Sequence, residues 1–300
     1  MTHQLQHGSI LGGVSVVPNL QAALKDYHDV LGMKVIEQGI LTDDLANSWN
    51  CPDSAGAPMA VLQPVSGADC FIRLVEQPDY PDFKPTTTYG WAAYELTVED
   101  VFGWPARLEG SGFDIIGPPK EIEGLPFFVP MQVLGTGREM VYLNEVREDT
   151  PSSDLPKARS LTDHIFIVIL ATPDRAATVN WYRDRLHLTV GDTYTLEYSM
   201  INEAFGKPAG TVSDITMVQN DRLPIVEVDD YPEEATSRSR HDGMLPPGNA
   251  LVTLAVESLD AIQLDWITSS TLRDAAPYLG RRSATAFGPT GELLELIEIG

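Results

Sequence analysis

A single carboxylate lies inside an apolar run near the end of the chain, where Leu293-Leu-Glu-Leu-Ile297 surrounds Glu295 with aliphatic side chains. In a strand, Glu295 shares a face with Leu293 and Ile297, because alternate residues point to the same side. Removal from water raises the pKa of a carboxyl group, which suits a general base or a metal ligand. The alternative is an edge-strand glutamate that faces solvent. Glu295 is the leading catalytic candidate.

A pair of cations, Arg281 and Arg282, precedes the penultimate predicted strand, and Tyr278 comes just before them. Guanidinium groups are permanently charged, bidentate donors that bind a substrate carboxylate or stabilise an enolate. We therefore take both arginines as catalytic candidates and Tyr278 as a substrate-binding one. The alternative is a solvated loop pair, since an acidic protein offers Arg many surface partners.

A polar loop in the second half carries His241 within Arg238-Ser-Arg-His-Asp-Gly243. Loops on a rigid scaffold often hold catalytic residues, although most polar loops do not. His241 is a catalytic candidate if this loop folds over the site, and it is a surface histidine otherwise.

The elements that position these residues occur twice along the chain. The segment from Asn19 to Met33 returns as Asp174 to Leu188, with Tyr27 matched by Tyr182, an offset of 155. Two further echoes follow in the same order at nearly the same offset. A repeat of this length is a domain-sized unit, which indicates duplication and makes a solenoid of short repeats improbable.

Each half contains two strand–helix–strand–strand–strand modules. In the first module, Ile10 to Val17 is an apolar β-branched run that ends before Pro18, and Asn19 then caps a helix that Gly32 ends. The Pro- and Ser-rich segment from Glu148 to Lys157 is a predicted linker. We expect an α+β chain with one domain at 1–148 and another at 158–300, the second being the active half.

Composition excludes several classes of partner. The chain has 300 residues and a net charge of −23, which disfavours nucleic acid and anionic membranes because both require Lys and Arg. No apolar run is long enough to span a bilayer, and the first residues do not resemble a secretory signal. Two cysteines without metal-binding spacing are expected to be reduced thiols. These features predict a cytoplasmic monomer or homodimer that binds a small molecule.

The module pattern resembles the vicinal oxygen chelate superfamily, which includes glyoxalase I, bleomycin- and fosfomycin-resistance proteins and extradiol dioxygenases. The matching motifs are Tyr27-His-Asp-Val-Leu-Gly-Met33, Tyr182-Arg-Asp-Arg-Leu-His-Leu188 and the closing Gly288-Pro-Thr-Gly-Glu-Leu-Leu-Glu295-Leu. The resemblance implies four βαβββ modules paired into two curled-sheet, glyoxalase-like domains. Each domain would form an open cup around a small ligand.

The resemblance also implies where a divalent metal would bind, on a His or Gln of the first strand and a Glu of the last strand of each module. The first-strand positions, seven residues before each helix cap, hold Gly12, Ala93, Ile167 and Leu251. The last-strand positions of the two halves are Val141 and Glu295, and Glu139 is expected on the surface near Arg138. His164 lies three residues from its ligand position, so it could bind metal or substrate only if a bulge turned it inward.

We therefore predict an enzyme of this superfamily that moves a proton, as an isomerase or lyase, on a small oxygenated molecule, either aromatic or aliphatic. Glu295 would be the base, Arg281 or Arg282 the oxyanion partner, and no cofactor is expected. One alternative is an extradiol ring-cleavage dioxygenase with iron, manganese, zinc or magnesium, whose ligands would include His164 and Glu295. Another alternative is a non-catalytic protein that binds or sequesters a small ligand.

Overall fold

The computed structural model describes residues 5–122 and 125–300. Within these residues, two eight-stranded sheets are built from four modules of similar plan. Module one comprises β1 (Ile10–Val17), α1 (Leu20–Lys25), β2 (Met33–Ile40), a short insertion with α2 (Asp43–Ser48), β3 (Pro58–Pro64) and β4 (Phe71–Glu76). Module two comprises β5 (Gly90–Val98), α3 (Trp104–Leu108), β6 (Asp114–Gly117), β7 (Phe128–Leu134) and β8 (Met140–Val146).

The second half repeats this plan. Module three comprises β9 (Thr162–Thr172), α4 (Arg175–Leu186), β10 (Thr189–Leu196), an insertion with α5 (Ser199–Ala204), β11 (Ser213–Asn220) and β12 (Leu223–Asp230). Module four comprises β13 (Gly248–Val256), β14 (Thr271–Arg273), β15 (Arg281–Phe287) and β16 (Leu293–Glu298). The helical segment of module four is a single 3₁₀ turn at Leu259–Ala261. The prediction of four modules in two curled sheets is confirmed.

The modules pair across the two halves of the chain and not within them. Module one joins module four through antiparallel β1 and β13, and module two joins module three through β5 and β9. The prediction that the two modules of each half, 1–148 or 158–300, close a cup together was therefore wrong. The bonds that join modules are backbone hydrogen bonds, which any pair of first strands can form. We call the two concave faces the outer-module cup (modules one and four) and the inner-module cup (modules two and three).

A carboxylate at the end of each module's last strand accepts a hydrogen bond from the first backbone N–H of that module's helical segment. The four bonds join Leu20 to Glu76 (2.7 Å), Val101 to Glu145 (2.9 Å), Arg175 to Asp230 (3.1 Å) and Leu259 to Glu298 (2.9 Å). These caps align the modules, so the residues three positions earlier are equivalent: Arg73, Tyr142, Glu227 and Glu295.

This alignment corrects the position predicted for the first half. Tyr142, and not Val141, is the counterpart of Glu295, because Glu95 pairs with Tyr142 as Thr253 pairs with Glu295. A shift of one residue moves a side chain to the opposite face of a strand. Val141 accordingly lies in the main hydrophobic core.

The two sheets are joined by polar contacts of aromatic side chains. The Tyr94 hydroxyl donates to the carbonyl oxygens of Val14 (2.8 Å) and Leu251 (2.9 Å), which ties β5 to both central strands of the other sheet. Gly13 permits this approach, since a Cβ there would lie 2.4 Å from the Tyr94 ring. The two eight-stranded sheets therefore share one core.

Glu139 was predicted on the surface, but it is fully buried. Its carboxyl group accepts hydrogen bonds from the Tyr27 hydroxyl (3.1 Å) and the Gly137 backbone N–H (2.9 Å). Tyr182 and Glu292 form the matching bond in the second half (2.9 Å). Tyr27 and Tyr182 are thus buried residues that fix helices to a neighbouring module. Burial raises the pKa of Glu139 to about 7, against the hydrogen bonds that favour its ionised form.

Candidate functional site

Glu295 lies on the floor of the outer-module cup with none of its surface exposed. Three donors converge on its carboxylate: the indole N–H of Trp49 (3.1 Å), the hydroxyl of Tyr278 (2.8 Å) and the hydroxyl of Thr253 (2.9 Å). Thr253 is on the adjacent strand β13, in register with Glu295. The carboxylate is therefore held in one orientation by groups from three separate parts of the chain.

A second charged residue, Arg73, occupies the equivalent position on β4 of module one and is also fully buried. Its Nη1 donates to the Tyr278 hydroxyl (3.2 Å), so Tyr278 bridges the guanidinium and the Glu295 carboxylate. The guanidinium carbon lies 4.8 Å from the Trp49 ring centroid and 5.4 Å from that of Phe71. Among the described residues, no acceptor reaches its Nε or Nη2. Two N–H groups of a buried cation are therefore available to an oxyanion.

Sequence reasoning missed Arg73 although its signal was present. The run Phe71-Ile-Arg-Leu-Val75 places one charge between apolar residues, as the run around Glu295 does. A lone charge in a buried strand is costly unless it has partners, so both positions carried the same information. The pairing of module one with module four is what brings Arg73 and Glu295 into one cup.

The insertion between β2 and β3, residues 41–57, covers the outer-module cup. Its apolar side chains Leu41, Leu45, Trp49 and Cys51 pack with the strand residues of the cup in one buried cluster. The ends of the insertion are bonded to each other, Leu41 N to Ala57 O and Gly56 N to Leu41 O, both at 2.8 Å. An ion pair of 2.8 Å between Asp44 and Arg273 ties it to module four. No helix was predicted in this segment, and it closes the cup completely over Glu295.

The four positions at which the resemblance places metal ligands hold Gly12, Arg73, Leu251 and Glu295 in this cup. Only Glu295 has a side-chain atom that can coordinate a metal ion, and Arg73 puts a positive charge where a second carboxylate would be needed. A side chain at position 12 would clash, because a Cβ there lies 2.4 Å from the Phe71 carbonyl oxygen. These residues do not fit a divalent cation. Across residues 5–122 and 125–300, no group of three His, Cys, Asp or Glu side chains is arranged to hold one.

The other predicted residues are distributed as follows. Tyr278 is buried against Glu295, so the structure brings these two candidates together. Arg281 is the first residue of β15 and shares a strand face with Ser283 and Thr285. Because Thr285 pairs with Glu295, Arg281 lies on the cup side of the sheet. Arg282 lies on the opposite face, where it pairs with Asp260 at 2.8 Å and with Glu298 at 3.4 Å.

Neither histidine candidate contacts Glu295. The His241 Nε2 atom lies 3.0 Å from the Asp79 carbonyl oxygen, and its ring packs edge-on against Tyr80. The loop of His241 nevertheless contacts the covering insertion, since Asp53 N donates to Gly243 O at 2.9 Å. His164 belongs to β9 of the other sheet, where it lines a cavity of about 60 Å³ with Gln6, Cys70 and Leu223. The pair His164 and Glu295 therefore does not form a metal site.

The inner-module cup contains a different set of groups. Its four equivalent positions hold Ala93, Tyr142, Ile167 and Glu227, and two further carboxyl groups, Glu95 and Asp229, are buried beside Glu227. Burial raises the pKa of all three carboxyl groups, and their mutual repulsion raises those of Glu95 and Asp229 further. The insertion carrying α5 covers this cup as α2 covers the other, with the Tyr198 hydroxyl donating to Glu227.

Solved structures of similar fold span the whole chain. A mutant of glyoxalase I from Zea mays has a TM-score of 0.63 at 16% identity and covers 97% of this chain and 92% of its own. Glyoxalase I from Zea mays itself gives 0.60 at 15%, with coverage of 97% and 92%. A protein from Bacillus subtilis described as a dioxygenase candidate gives 0.59 at 12%, with coverage of 98% and 86%.

No protein-family model and no curated protein matches the sequence. None of the helices in the described residues is both long and apolar enough to cross a membrane. The likeness to the solved structures extends from the first module to the last, since the match covers 97% of this chain. The chain therefore has the fold of the vicinal oxygen chelate superfamily, with four βαβββ modules in one polypeptide.

Proposed function

We propose that the chain is a glyoxalase-like enzyme that moves a proton on a small oxygenated molecule in the outer-module cup, without a metal. The observation that supports this most directly is the Glu295–Tyr278–Arg73 network, which places a base and a cation on either side of one hydroxyl. Glyoxalase I and a dioxygenase candidate share the fold, which is consistent with an enzyme. Arg73 takes the oxyanion role that the sequence suggested for Arg281 or Arg282.

The proposed step begins with a C–H bond next to a substrate carbonyl group. Glu295 removes the proton, the electron pair of the C–H bond forms a C=C double bond, and the π electrons of the carbonyl group move to its oxygen. The two unpartnered N–H groups of Arg73 stabilise the resulting enolate oxygen in a site that excludes water. Return of the proton to a neighbouring carbon gives an isomer. In a lyase reaction, the enolate re-forms the carbonyl group, its C=C electrons form a new double bond to the next carbon, and the group on that carbon leaves with its bonding pair and takes the proton from Glu295.

Substrate reaches this site only when the insertion 41–57 moves. Trp49 occupies the space above Glu295, and its indole N–H takes one of the carboxylate's hydrogen-bonding positions. Gly39 precedes the insertion and Gly56 lies near its end, and a Cβ at either position would meet nothing within 4 Å. Outward movement of Trp49 would free the carboxylate and open space for a small molecule.

The test is exchange of carbon-bound protons with solvent deuterium, followed by NMR for a set of small α-hydroxyketones and aryl ketones. We expect Glu295→Gln to reduce exchange at least about 100-fold, the usual contribution of a general base. Arg73→Met should also reduce exchange, whereas Glu109→Gln, an exposed carboxylate far from the cup, should leave it unchanged. Unchanged exchange in Glu295→Gln would show that this carboxylate is not the base.

Metal analysis of the purified protein distinguishes the dioxygenase hypothesis from metal-independent proton transfer. Its metal would have to bind at Glu295 beside the Arg73 guanidinium, an unfavourable pairing of like charges. We expect purified protein to contain less than stoichiometric iron, manganese, zinc or magnesium at this site. A stoichiometric metal that is lost in Glu295→Gln would favour the metal-dependent reaction instead.

The complete closure of the cup supports a second candidate, a protein that holds a small ligand without converting it. The same exchange assay separates the two functions, because a sequestering protein would protect the carbon-bound protons. A compound recovered chemically unchanged from the purified protein would favour sequestration.

A further inference from the structure

The inner-module cup presents oxygen atoms from its central strands with little to neutralise them. Glu95 lies on β5, Asn144 on β8, and Glu227 and Asp229 on β12. These strands lie in the order β12, β9, β5, β8, so β5 and β8 are neighbours and β9 separates β5 from β12. The four side chains are all at most 7% exposed. The cup therefore holds three carboxyl groups and an amide in an environment that disfavours charge.

The contacts of these groups leave part of the set unsatisfied. Asn144 Nδ2 donates to Glu95 Oε2 at 2.6 Å, and the Tyr198 hydroxyl donates to Glu227. The Asp229 and Glu227 carboxyl groups are hydrogen-bonded to each other. Among the described residues, no donor reaches Asn144 Oδ1 or Asp229 Oδ1, and no Lys or Arg forms an ion pair with any of the three carboxyl groups. Arg175, on the adjoining helix α4, is paired with Asp214 and Asp230 instead. Buried oxygen atoms without donors are rare and call for a missing partner.

The spacing of these oxygen atoms favours one kind of partner. Glu95 and Glu227 are on strands separated by β9, and they pair with Ile167 and Ile169, two residues apart along that strand. With strands about 4.8 Å apart and a rise of about 3.3 Å per residue, their Cα atoms are about 12 Å apart. The described carboxylates do not converge closely enough to form a metal site. A cation that carries several N–H donors on a carbon frame can reach groups spread over this distance, whereas a single ion cannot.

Aromatic side chains surround the same groups. Tyr142 on β8 pairs with Glu95 on β5, and the Tyr198 hydroxyl donates to Glu227. Tyr231 comes two residues after Asp229, just beyond the end of β12. Tyrosine rings attract organic cations through their π faces. The net charge of −23 also raises the local concentration of cations around the chain.

We propose that the inner-module cup binds a small protonated amine, with Glu95, Glu227, Asp229 and Asn144 Oδ1 as its acceptors. The ammonium N–H groups supply the donors that Asn144 and Asp229 lack, and the positive charge offsets the repulsion among the carboxylates. Burial raises the pKa of each carboxyl group in the free protein, so a bound cation would also favour their ionised forms. This site is independent of the reaction proposed for the outer-module cup.

The test is isothermal titration calorimetry of the full chain with n-propylamine, with n-propanol as an uncharged molecule of the same size. We expect one site with a dissociation constant on the order of 0.1 mM, near the limit for so small a ligand. Propanol should bind at least about 10-fold more weakly, since a charged hydrogen bond is lost. Equal binding of propanol, or no binding of propylamine, would overturn the proposal.

Variants locate the site. Glu95→Gln and Glu227→Gln, made separately, are each expected to weaken propylamine binding at least about 10-fold. Asp192→Asn, an exposed acidic residue on the same sheet, is the matched control and should bind as the unmodified chain does. Circular dichroism identifies which variants fold. The propylamine affinity of either folded glutamine variant is sufficient to test the proposal. Retained affinity in it would refute the proposal, as would tight binding of Mg²⁺ or Mn²⁺ that propylamine does not displace.

Discussion

The buried carboxyl group of Glu139 makes the stability of the fold depend on pH. Its pKa is raised from 4.5 to about 7 by burial, so the folded chain keeps this proton over a range in which the unfolded chain has released it. The folded state then binds more protons, and the free energy of unfolding falls as pH rises from about 4.5 to about 7. The stabilisation is complete below the unfolded pKa and is lost above the folded pKa.

The expected size follows from this shift of about 2.5 pKa units, since each unit corresponds to 1.36 kcal/mol. Glu139 should therefore contribute about 3 kcal/mol to the change in unfolding free energy across the range. Glu139→Gln removes the titrating group while the amide oxygen can still accept from Tyr27. The unfolding free energies of the variant and the unmodified chain then differ by an amount that is constant with pH, plus this pH-dependent contribution of Glu139.

The assay is urea unfolding of both proteins at a series of pH values, followed by tryptophan fluorescence. The difference between their unfolding free energies should change by about 3 kcal/mol from pH 4.5 to pH 7, with the unmodified chain losing relative stability. Glu109→Gln, exposed to solvent, controls for the loss of a carboxylate. Parallel pH profiles for Glu139→Gln and the unmodified chain would show that Glu139 is not a buried titrating group.

Three further outcomes test the outer-module cup. Arg73→Met should lower the unfolding free energy by about 3–5 kcal/mol, and adding Glu295→Gln should restore part of it; additive losses in urea unfolding would disprove their coupling. In a Cys70→Ala background, Cys51 should react with a thiol reagent at least about 100-fold more slowly than in urea, because its side chain is buried between the insertion 41–57 and the cup; equal rates would mean that the cup is open. Gly12→Ala should cost about 1–3 kcal/mol in the same unfolding assay because its Cβ meets the Phe71 backbone, and an unchanged midpoint would argue against that close contact.

Local patterns were sufficient to predict the modules. Asn19 and Asp174 cap their helices through bonds of 2.9 Å to Ala22 N and Ala177 N, and Gly32 adopts the positive φ that ends the first helical segment. Such features depend on residues that are close in sequence, so periodicity and capping rules recover them. The insertions with α2 and α5 were not recovered, because six-residue helices carry little periodic signal and are stabilised by packing.

The candidate site was only partly predictable. Glu295 and Tyr278 were found from residue type and neighbourhood, and the structure places them in contact. Arg282 was also selected by type, but alternation along β15 turns it to the opposite face, where Asp260 and Glu298 pair with it. A one-residue difference in register decides such a case, and sequence patterns rarely define register that closely.

The sequence by itself determined that there are four modules, where each begins, and that a carboxylate flanked by apolar residues stands in the last strand. The tertiary structure decided which modules share a sheet, because the joining bonds between β1 and β13 involve backbone groups common to all residues. That choice puts Arg73 of the first half beside Glu295 of the second and lets Trp49 cover both. The same choice collects Glu95 and Glu227 in the other cup, because side chains far apart in sequence meet only after the strands have paired.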